Sequence, residues 1–342
     1  MNRGGLETMK MNIYRRVDKT KLQFDFLVSQ KGAFDDEIRQ LGGRIYYISF
    51  IDKVGPFHYA KHLRDFFQNH PEYSVIHIQM DKFGGFIAKQ AKKANVPHRL
   101  IHSNNTESDG NILVRAVKEY YGRYVNNATN FLACGVDAAN WMFKDVEKVK
   151  YLKNGVDTLI FSSIDKRDRS TFTVGHIGRF NKVKNHDFLL DIFYELHKKE
   201  PNSRLVLVGD GPKMSDIQTK AKALKLVDSI EFVGLVSEVA PILQRMDVFC
   251  MPSLHEGFPV TLVEAQACGV PCVVSDSITE EVKILKDDFE YLNLSNSALQ
   301  WAEALLQYKN KIRKDNTKTV RESGYDINKI AKDMQQYYLS FR

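Results

Sequence analysis

The sequence predicts an α/β protein of two doubly wound domains, each a parallel sheet covered by helices. Three observations carry that expectation. At 342 residues the chain is about twice the length of a typical domain of ~150 residues. Short runs of β-branched and other apolar residues alternate with helical patterns of ~10–15 residues from end to end, as parallel strands buried on both faces require. The rhythm also occurs twice, broken at the turn-type segment Asn154-Gly155-Val156-Asp157.

Taken in order, residues 24–28 read as a strand and 35–41 as a helix stopped by Gly42-Gly43. Strands follow at 44–48 and 75–79, a helix at 85–94, a strand at 99–102, a helix at 111–124, and strands at 130–133 and 149–152. In the second half, 172–177 is a strand and 187–199 a helix with Leu189, Ile192, Phe193 and Leu196 on one face. Strand 204–208 runs into Gly209-Asp210-Gly211-Pro212. Helix 214–224, strand 230–233, helix 239–246, strand 248–251, helix 260–267 and strand 271–275 complete the alternation. The last helix, 327–341, is rich in Tyr and Phe and is expected to cross back to the first domain. The expected domains are therefore 1–156 with 326–342, and 157–325, facing a cleft.

Composition narrows the classes. Hydrophobic residues make 43% and charged residues 27%, with 29 Gly and Pro in all, which excludes a disordered or collagen-like chain. No apolar run approaches the ~18 residues a membrane span needs, and the N-terminus shows no signal-peptide core. Four scattered cysteines, Cys134, Cys250, Cys268 and Cys272, fit neither a disulfide framework nor a zinc site. The expectation is a cytoplasmic protein. Residues 1–155 carry 24 Lys and Arg against 16 Asp and Glu, whereas the remainder carries 25 against 26. The basic half suits a nucleic acid, an anionic membrane surface, an anionic substrate or simply solvated helix faces. No nucleic-acid-binding motif is present, so no nucleic acid partner is expected.

The strongest chemical signal lies between 175 and 265. Ligands of parallel sheets bind at the carboxyl ends of strands. Gly178-Arg179-Phe180 follows a strand, with Lys184 five residues after Arg179; a guanidinium fork and a point charge on one loop suit a diphosphate. Read alone, the two are ordinary surface cations. Ser253-Leu254-His255-Glu256-Gly257-Phe258-Pro259 then leads into a helix whose first turn suits Pro259 and whose end suits Gly269. Such a helix start presents free N–H groups to an anion. Glu256 in the loop and Glu264 in the helix are each suited to a sugar diol. Glu264, between Leu262, Val263 and Ala265, needs a partner if it lies near a core face.

This set resembles the retaining GT-B glycosyltransferases, specifically glycosyltransferase family 4 (group 1). Glu256-x7-Glu264 with Gly257-Phe258-Pro259 between, Gly178-Arg179…Lys184, Val208-Gly209-Asp210-Gly211-Pro212, Phe232-Val233-Gly234 and Ala265…Gly269-Val270-Pro271 stand in the family's order. Gly4-Gly5 looks like the glycine-rich turn after a first strand. The segment 99–105, with His102, looks like the strand-end histidine of capsular and exopolysaccharide members.

The resemblance implies a retaining transfer from a nucleoside diphosphate sugar, a UDP-sugar by family weight, to a lipid-linked or oligosaccharide acceptor. Arg179 and Lys184 would neutralise the departing diphosphate. Glu264 would hold the ribose hydroxyls. Glu256, with the amides of Gly257 and Phe258 ahead of Pro259 and Val260, would hold the donor sugar. His102 would contact that sugar near the reacting carbon. Gly4, Gly5, Gly178 and Gly209 would let backbone approach the ligand, and Val233, Gly234 and Leu235 would meet the base. No Asp-x-Asp occurs, in keeping with a metal-independent pattern, and no cofactor or metal is implied. Lys89, Lys92 and Lys93, with Phe83 and Phe86 just before, would rest on anionic headgroups at the inner face of the membrane.

One departure stands out. The family has a strand of ~5 residues before the glycine-rich turn, and that first, central strand is missing here. The expectation is that the native chain begins upstream and that this form is unstable or poorly active. The rival reading is a non-catalytic or truncated sugar-nucleotide-binding paralogue. An NAD oxidoreductase would need a third glycine after Gly209-Asp210-Gly211.

Overall fold

The computed structural model of the chain describes residues 5–108 and 110–341. These divide into two compact units, Met1–Gly155 with Ile327–Arg342, and Val156–Asp326.

The first unit runs α1 (Gly5–Arg16), β1 (Phe26–Val28), α2 (Asp35–Gln40), β2 (Ile45–Tyr47), α3 (Ile51–Asn69), β3 (Val75–Ile78), α4 (Gly84–Lys93), β4 (His98–Ser103), α5 (Ile112–Gly122), β5 (Asn130–Ala133), α6 (Val136–Met142) and β6 (Val149–Tyr151). Its strands are parallel and form two separate sheets, β1-β2 and β3-β4-β5-β6. The N-terminal segment, expected as a turn, is helical from Gly5. Helix α1 carries Glu7 in its first turn and Arg15 and Arg16 in its last, which complements the helix dipole. Met9, Ile13 and Tyr14 form its buried side, and Arg15 grips Glu37 with two hydrogen bonds of 2.6 and 2.8 Å. Helix α3 escapes sequence reading because Gly55-Pro56 interrupts it. Gly55 sits at φ +75°, a kink, and Tyr59, Leu63 and Phe67 at four-residue spacing supply the buried side beyond it.

The second unit runs β7 (Phe172–Ile177), α7 (His186–Lys199), β8 (Ser203–Val208), α8 (Met214–Ala223), β9 (Ile230–Gly234), α9 (Ala240–Leu243), β10 (Val248–Met251), α10 (Val260–Ala267), β11 (Cys272–Ser275), β12 (Phe289–Leu292), α11 (Ala298–Leu306) and α12 (Thr317–Val320); α13 (Ile327–Leu339) returns to the first unit. One parallel sheet in the order β12-β11-β10-β7-β8-β9 organises it. Alternate strand residues enter two different cores. Val206, Val208, Phe249 and Met251 pack on one face, and Leu205, Leu207, Val248 and Cys250 on the other. Burial on both faces is why these strands read as continuous apolar runs.

Helix α9 stops well short of the expected 246. The Arg313 guanidinium donates to the carbonyls of Leu243, Gln244 and Met246, taking hydrogen bonds a longer helix would have made internally. Helix α11 went unread although Ser297 and Gln300 form a reciprocal capping box.

Candidate functional site

In the second unit, the loops that follow β7, β8, β9 and β10 leave the carboxyl ends of neighbouring strands. The first two loops are pressed together. Gly178 N donates to Val208 O at 2.9 Å, Phe180 N to Asp210 O at 3.0 Å, and Lys213 N to Phe180 O at 3.0 Å. A Cβ on Gly209 would lie 2.1 Å from Gly178 O, and one on Gly211 would lie 2.5 Å from Phe180 O. Only glycine permits this approach. Gly209 N in turn donates to Gly234 O at 2.9 Å, joining the end of β9 to the same loops, while Leu235 is exposed. Val233 and Gly234, both half-buried, end β9.

The loop after β7 is also tied to the loop after β10. Leu254 N donates to Val183 O at 2.8 Å, and Asn185, in the left-handed region at φ +53°, donates its side-chain N–H to Pro252 O at 3.0 Å. Ser275 and Ser277 hydroxyls brace the loop from below, donating to Ser253 O at 2.5 and 2.8 Å. Pro259 precedes α10 as its cap, at φ −75°, rather than sitting in its first turn, and no side chain caps the helix. Its first N–H groups, beginning at Val260, are left for water or a ligand. Beside Gly257, Phe258 stacks on Tyr325 with centroids 5.8 Å apart.

Three charged side chains occupy this setting in different ways. Arg179 is exposed, and its guanidinium makes no ion pair among the described residues. Lys184 is not the second free cation the sequence suggests. Its Nζ lies 2.7 Å from Glu256 Oε1, with the side chains only 17% and 12% exposed. Glu256 therefore neutralises Lys184, and both face the loop junction as a preformed pair. Removing one member of a largely enclosed pair leaves the other charge uncompensated. A double-mutant cycle of Lys184→Met and Glu256→Gln, read by urea denaturation, is expected to show a coupling of about 1–3 kcal/mol. Additive losses would show the pair to be a solvated contact.

Glu264 is the fifth residue of α10, itself half-buried among buried Leu262, Val263 and Ala265. Its carboxyl makes no hydrogen bond or ion pair among the described residues. Burial pushes its pKa up to about 7. No described residue offsets the carboxyl's desolvation.

Sequence reasoning missed two histidines here. His176 Nδ1 meets Cys250 O at 2.8 Å, and His186 stacks on Phe180 with centroids 4.1 Å apart. His176 Nε2 and both ring nitrogens of His186 lack partners among the described residues. Burial holds both rings neutral, with His186 lowered to about 4. His176 sits inside an apolar strand, and no sequence motif marks either residue.

His102 belongs to the other unit, as the fifth of six residues in β4. It is fully buried, stacked on His77 at 5.3 Å, and held neutral by desolvation at a pKa of about 3. The position expected to contact the donor sugar is near a strand end, but its ring is fully buried, and neither ring nitrogen has a hydrogen-bond partner among the described residues. Gly5 opens α1 with free space around it, and Gly4 lies outside the described residues. Phe83 and Phe86 are core residues stacked with Tyr59, and Lys89 lies over the Tyr124 ring at 3.6 Å. That face is not an apolar membrane contact. Among the described residues, no three His, Cys, Asp or Glu side chains gather as a metal ion would need.

Two parallel-sheet α/β units, with glycine-shaped loops and an uncapped helix start at the strand ends of one, define a GT-B fold. HepE from Anabaena, in a crystal structure with UDP and glucose, matches with a TM-score of 0.78 at 16% identity, over 98% of this chain and 96% of that one. Residues 171–310 match the family described as glycosyl transferases group 1. The putative glycosyltransferase EpsF of Bacillus subtilis (strain 168) is 39% identical over 324 residues, covering 89% of this chain and 84% of its own. The UDP-Gal:α-D-GlcNAc-diphosphoundecaprenol α-1,3-galactosyltransferase of Escherichia coli is 26% identical over 78% of this chain and 76% of its own. The chain belongs to the group 1 glycosyltransferases, glycosyltransferase family 4, a retaining family.

Proposed function

We propose that the protein moves a hexosyl group from a UDP-sugar to a lipid-diphosphate-linked saccharide, with retention, during surface-polysaccharide assembly at the inner face of the membrane. One observation carries the donor half of this reading: Glu264, a carboxyl with raised pKa and no partner among the described residues, in the helix that opens beside the Lys184–Glu256 pair. A ribose diol donates the two hydrogen bonds such a carboxylate lacks. Arg179 and Lys184 then meet the diphosphate, whose negative charge grows as the sugar departs. The N–H groups at the start of α10 favour the same charge. Glu256, with the amides of Gly257 and Phe258, holds the sugar. HepE's complex with UDP and the E. coli relative's UDP-Gal donor support uridine as the base. A thermal-shift panel of nucleoside diphosphate sugars tests it, since a ligand of the folded state raises Tm by mass action. UDP-sugars are expected to shift Tm and GDP- or ADP-sugars to leave it unchanged. A response to another base, or to none, overturns the donor assignment.

The acceptor half rests on α5. This helix buries none of its residues, and Ile112 and Leu113 are 85% and 77% exposed. Val117 and Tyr120 continue the exposed apolar stripe, flanked by Arg115 and Arg123. No helix among the described residues is long and apolar enough to cross a membrane, and an apolar stripe with cations suits lying on an anionic surface. A lipid-linked acceptor resides on such a surface, and the name of the E. coli relative gives a diphosphoundecaprenol-linked acceptor for that protein. Vesicles containing anionic lipid are expected to co-sediment the protein. Ile112→Glu with Leu113→Glu is expected to weaken partitioning by roughly tenfold or more. Equal binding to neutral vesicles, or by the double variant, removes the membrane reading.

A further inference from the structure

The donor contacts leave one histidine of β7 unused. His176 is the fifth of the strand's six residues and is fully buried. Its Nδ1 lies 2.8 Å from Cys250 O on the neighbouring strand β10. A carbonyl oxygen only accepts, so Nδ1 carries the proton of this bond. Burial, with His186 and Lys184 close by, keeps the ring neutral. Nε2 is then a bare lone pair, and no described residue donates to it.

The lone pair meets the Lys184 side chain. The point that a Cβ of Gly178 would occupy lies 2.9 Å from His176 Nε2 and 3.1 Å from both Cδ and Cε of Lys184. Imidazole acceptor and lysine stem therefore converge over one glycine. The φ of Gly178 is not positive, so its backbone does not require glycine, and what the position supplies is empty space. His186 packs against the His176 ring in a T-shape with centroids 4.7 Å apart, and its other contact is the stack on Phe180. Phe180 is in turn fixed by its backbone bonds to Asp210 and Lys213. The imidazole is thus held from β10 on one side and from the loop after β8 on the other.

An enclosed ammonium needs acceptors. Lys184 Nζ is one bond beyond Cε and carries three N–H donors. With the site empty it lies 2.7 Å from Glu256 Oε1, the lysine side chain being 17% exposed. A diphosphate draws the ammonium away from that carboxylate, and Glu256 turns to the sugar. A neutral acceptor can then hold the ammonium without cancelling the positive charge that the diphosphate requires. We propose that His176 is a positioning residue for Lys184: when a nucleoside diphosphate occupies the site, His176 Nε2 accepts a hydrogen bond from the Lys184 ammonium and holds it against the diphosphate. This rests on the donor reading, which gives Lys184 to the diphosphate.

Two substitutions separate the ring's nitrogens. In His176→Asn the amide N–H can replace Nδ1 and keep the bond to Cys250 O, but nothing stands at Nε2. In His176→Gln the longer side chain can place its amide oxygen at Nε2, but the bond to Cys250 is lost. Each is made in the whole protein, alone and together with Lys184→Met, and UDP affinity is read by calorimetric titration beside the urea midpoint. His176→Asn is expected to weaken UDP binding roughly tenfold, and His176→Gln to stay within about threefold of the wild type, whatever their midpoints. Lys184→Met should itself weaken binding, and His176→Asn should add no further loss to it. A purely structural histidine predicts the reverse order, with asparagine binding UDP better than glutamine, and that result overturns the proposal. So does a loss that persists without Lys184, which gives the lone pair to another donor such as His186. If Lys184→Met weakens binding and His176→Asn does not, the positioning role alone fails. If Lys184→Met binds UDP normally, the donor assignment of Lys184 fails with it. Nitrogen NMR of the wild type needs no variant to fold: the signal of His176 Nε2 is expected to shift on saturation with UDP, as a lone pair does on accepting a hydrogen bond, and an unmoved signal also overturns the proposal.

Discussion

Glu264→Gln is expected to stabilise the unliganded protein at pH 8 while abolishing most donor binding. The carboxyl's pKa in the folded state is raised from 4.5 to about 7 by burial. The folded state therefore holds this proton more tightly than the unfolded chain. Between pH ~4.5 and ~7 stability falls as pH rises, and above pH ~7 the full cost of the partly desolvated charge is present. That cost is about 3 kcal/mol. Glutamine never ionises, so its advantage is absent at pH 4 and complete at pH 8, a Tm difference of roughly 5–10 °C. Donor binding moves the other way. In the proposed donor site a ribose diol donates to the ionised carboxylate, so UDP-sugar affinity of the wild type should strengthen as pH rises through 7. Glutamine loses the charge and one acceptor oxygen, which weakens binding roughly 10- to 100-fold. Thermal melts from pH 4 to 8 with and without UDP, together with calorimetric titration, measure both effects. A variant that is destabilised equally at all pH values and binds UDP normally would make Glu264 a structural residue.

The second large effect is expected at Gly209. It lies at φ +134°, and a Cβ there would sit 2.1 Å from Gly178 O. Alanine must therefore adopt a strained backbone and push the 178–180 loop away from the 209–211 loop. The combined cost is about 2–6 kcal/mol. The displaced loop carries Arg179, so donor affinity should fall along with stability. Gly234 provides the comparison. It also has positive φ, +76°, but nothing lies within 4 Å of a Cβ there. Gly234→Ala should cost only the left-handed penalty of about 1–2 kcal/mol. Urea denaturation and UDP titration of both variants test the contrast. Equal losses at the two positions would mean that loop contact is irrelevant and backbone strain alone decides.

The parallel strands of the second unit were legible because burial on both faces leaves a local signature. The apolar runs at 172–177, 204–208 and 248–251 coincide with β7, β8 and β10 or differ by one residue. Helices α3 and α11 were not read. A glycine-proline pair masks the first, and the second is signalled only by the capping box of Ser297 and Gln300. The family resemblance places a turn at the N-terminal glycines, yet Gly5 begins a helix.

At the candidate site, residue types and spacing singled out Arg179, Lys184, Glu256 and Glu264, because a charged group next to a glycine-rich strand end is a local pattern. Which charges pair and which stay open is not local. Lys184 and Glu256 are 72 positions apart and meet only because hydrogen bonds hold the loops after β7 and β10 together. His176 and His186 acquire partnerless ring nitrogens, and His102 its enclosure, through packing that spacing does not encode. The sequence by itself determined the fold class, the family and the list of candidate groups, since periodicity and short motifs express nearest-neighbour constraints. Tertiary structure alone decided the desolvation of Glu264, the pairing of Lys184 and the burial of His102. Desolvation, ion pairing and sheet continuity depend on residues far apart in the chain.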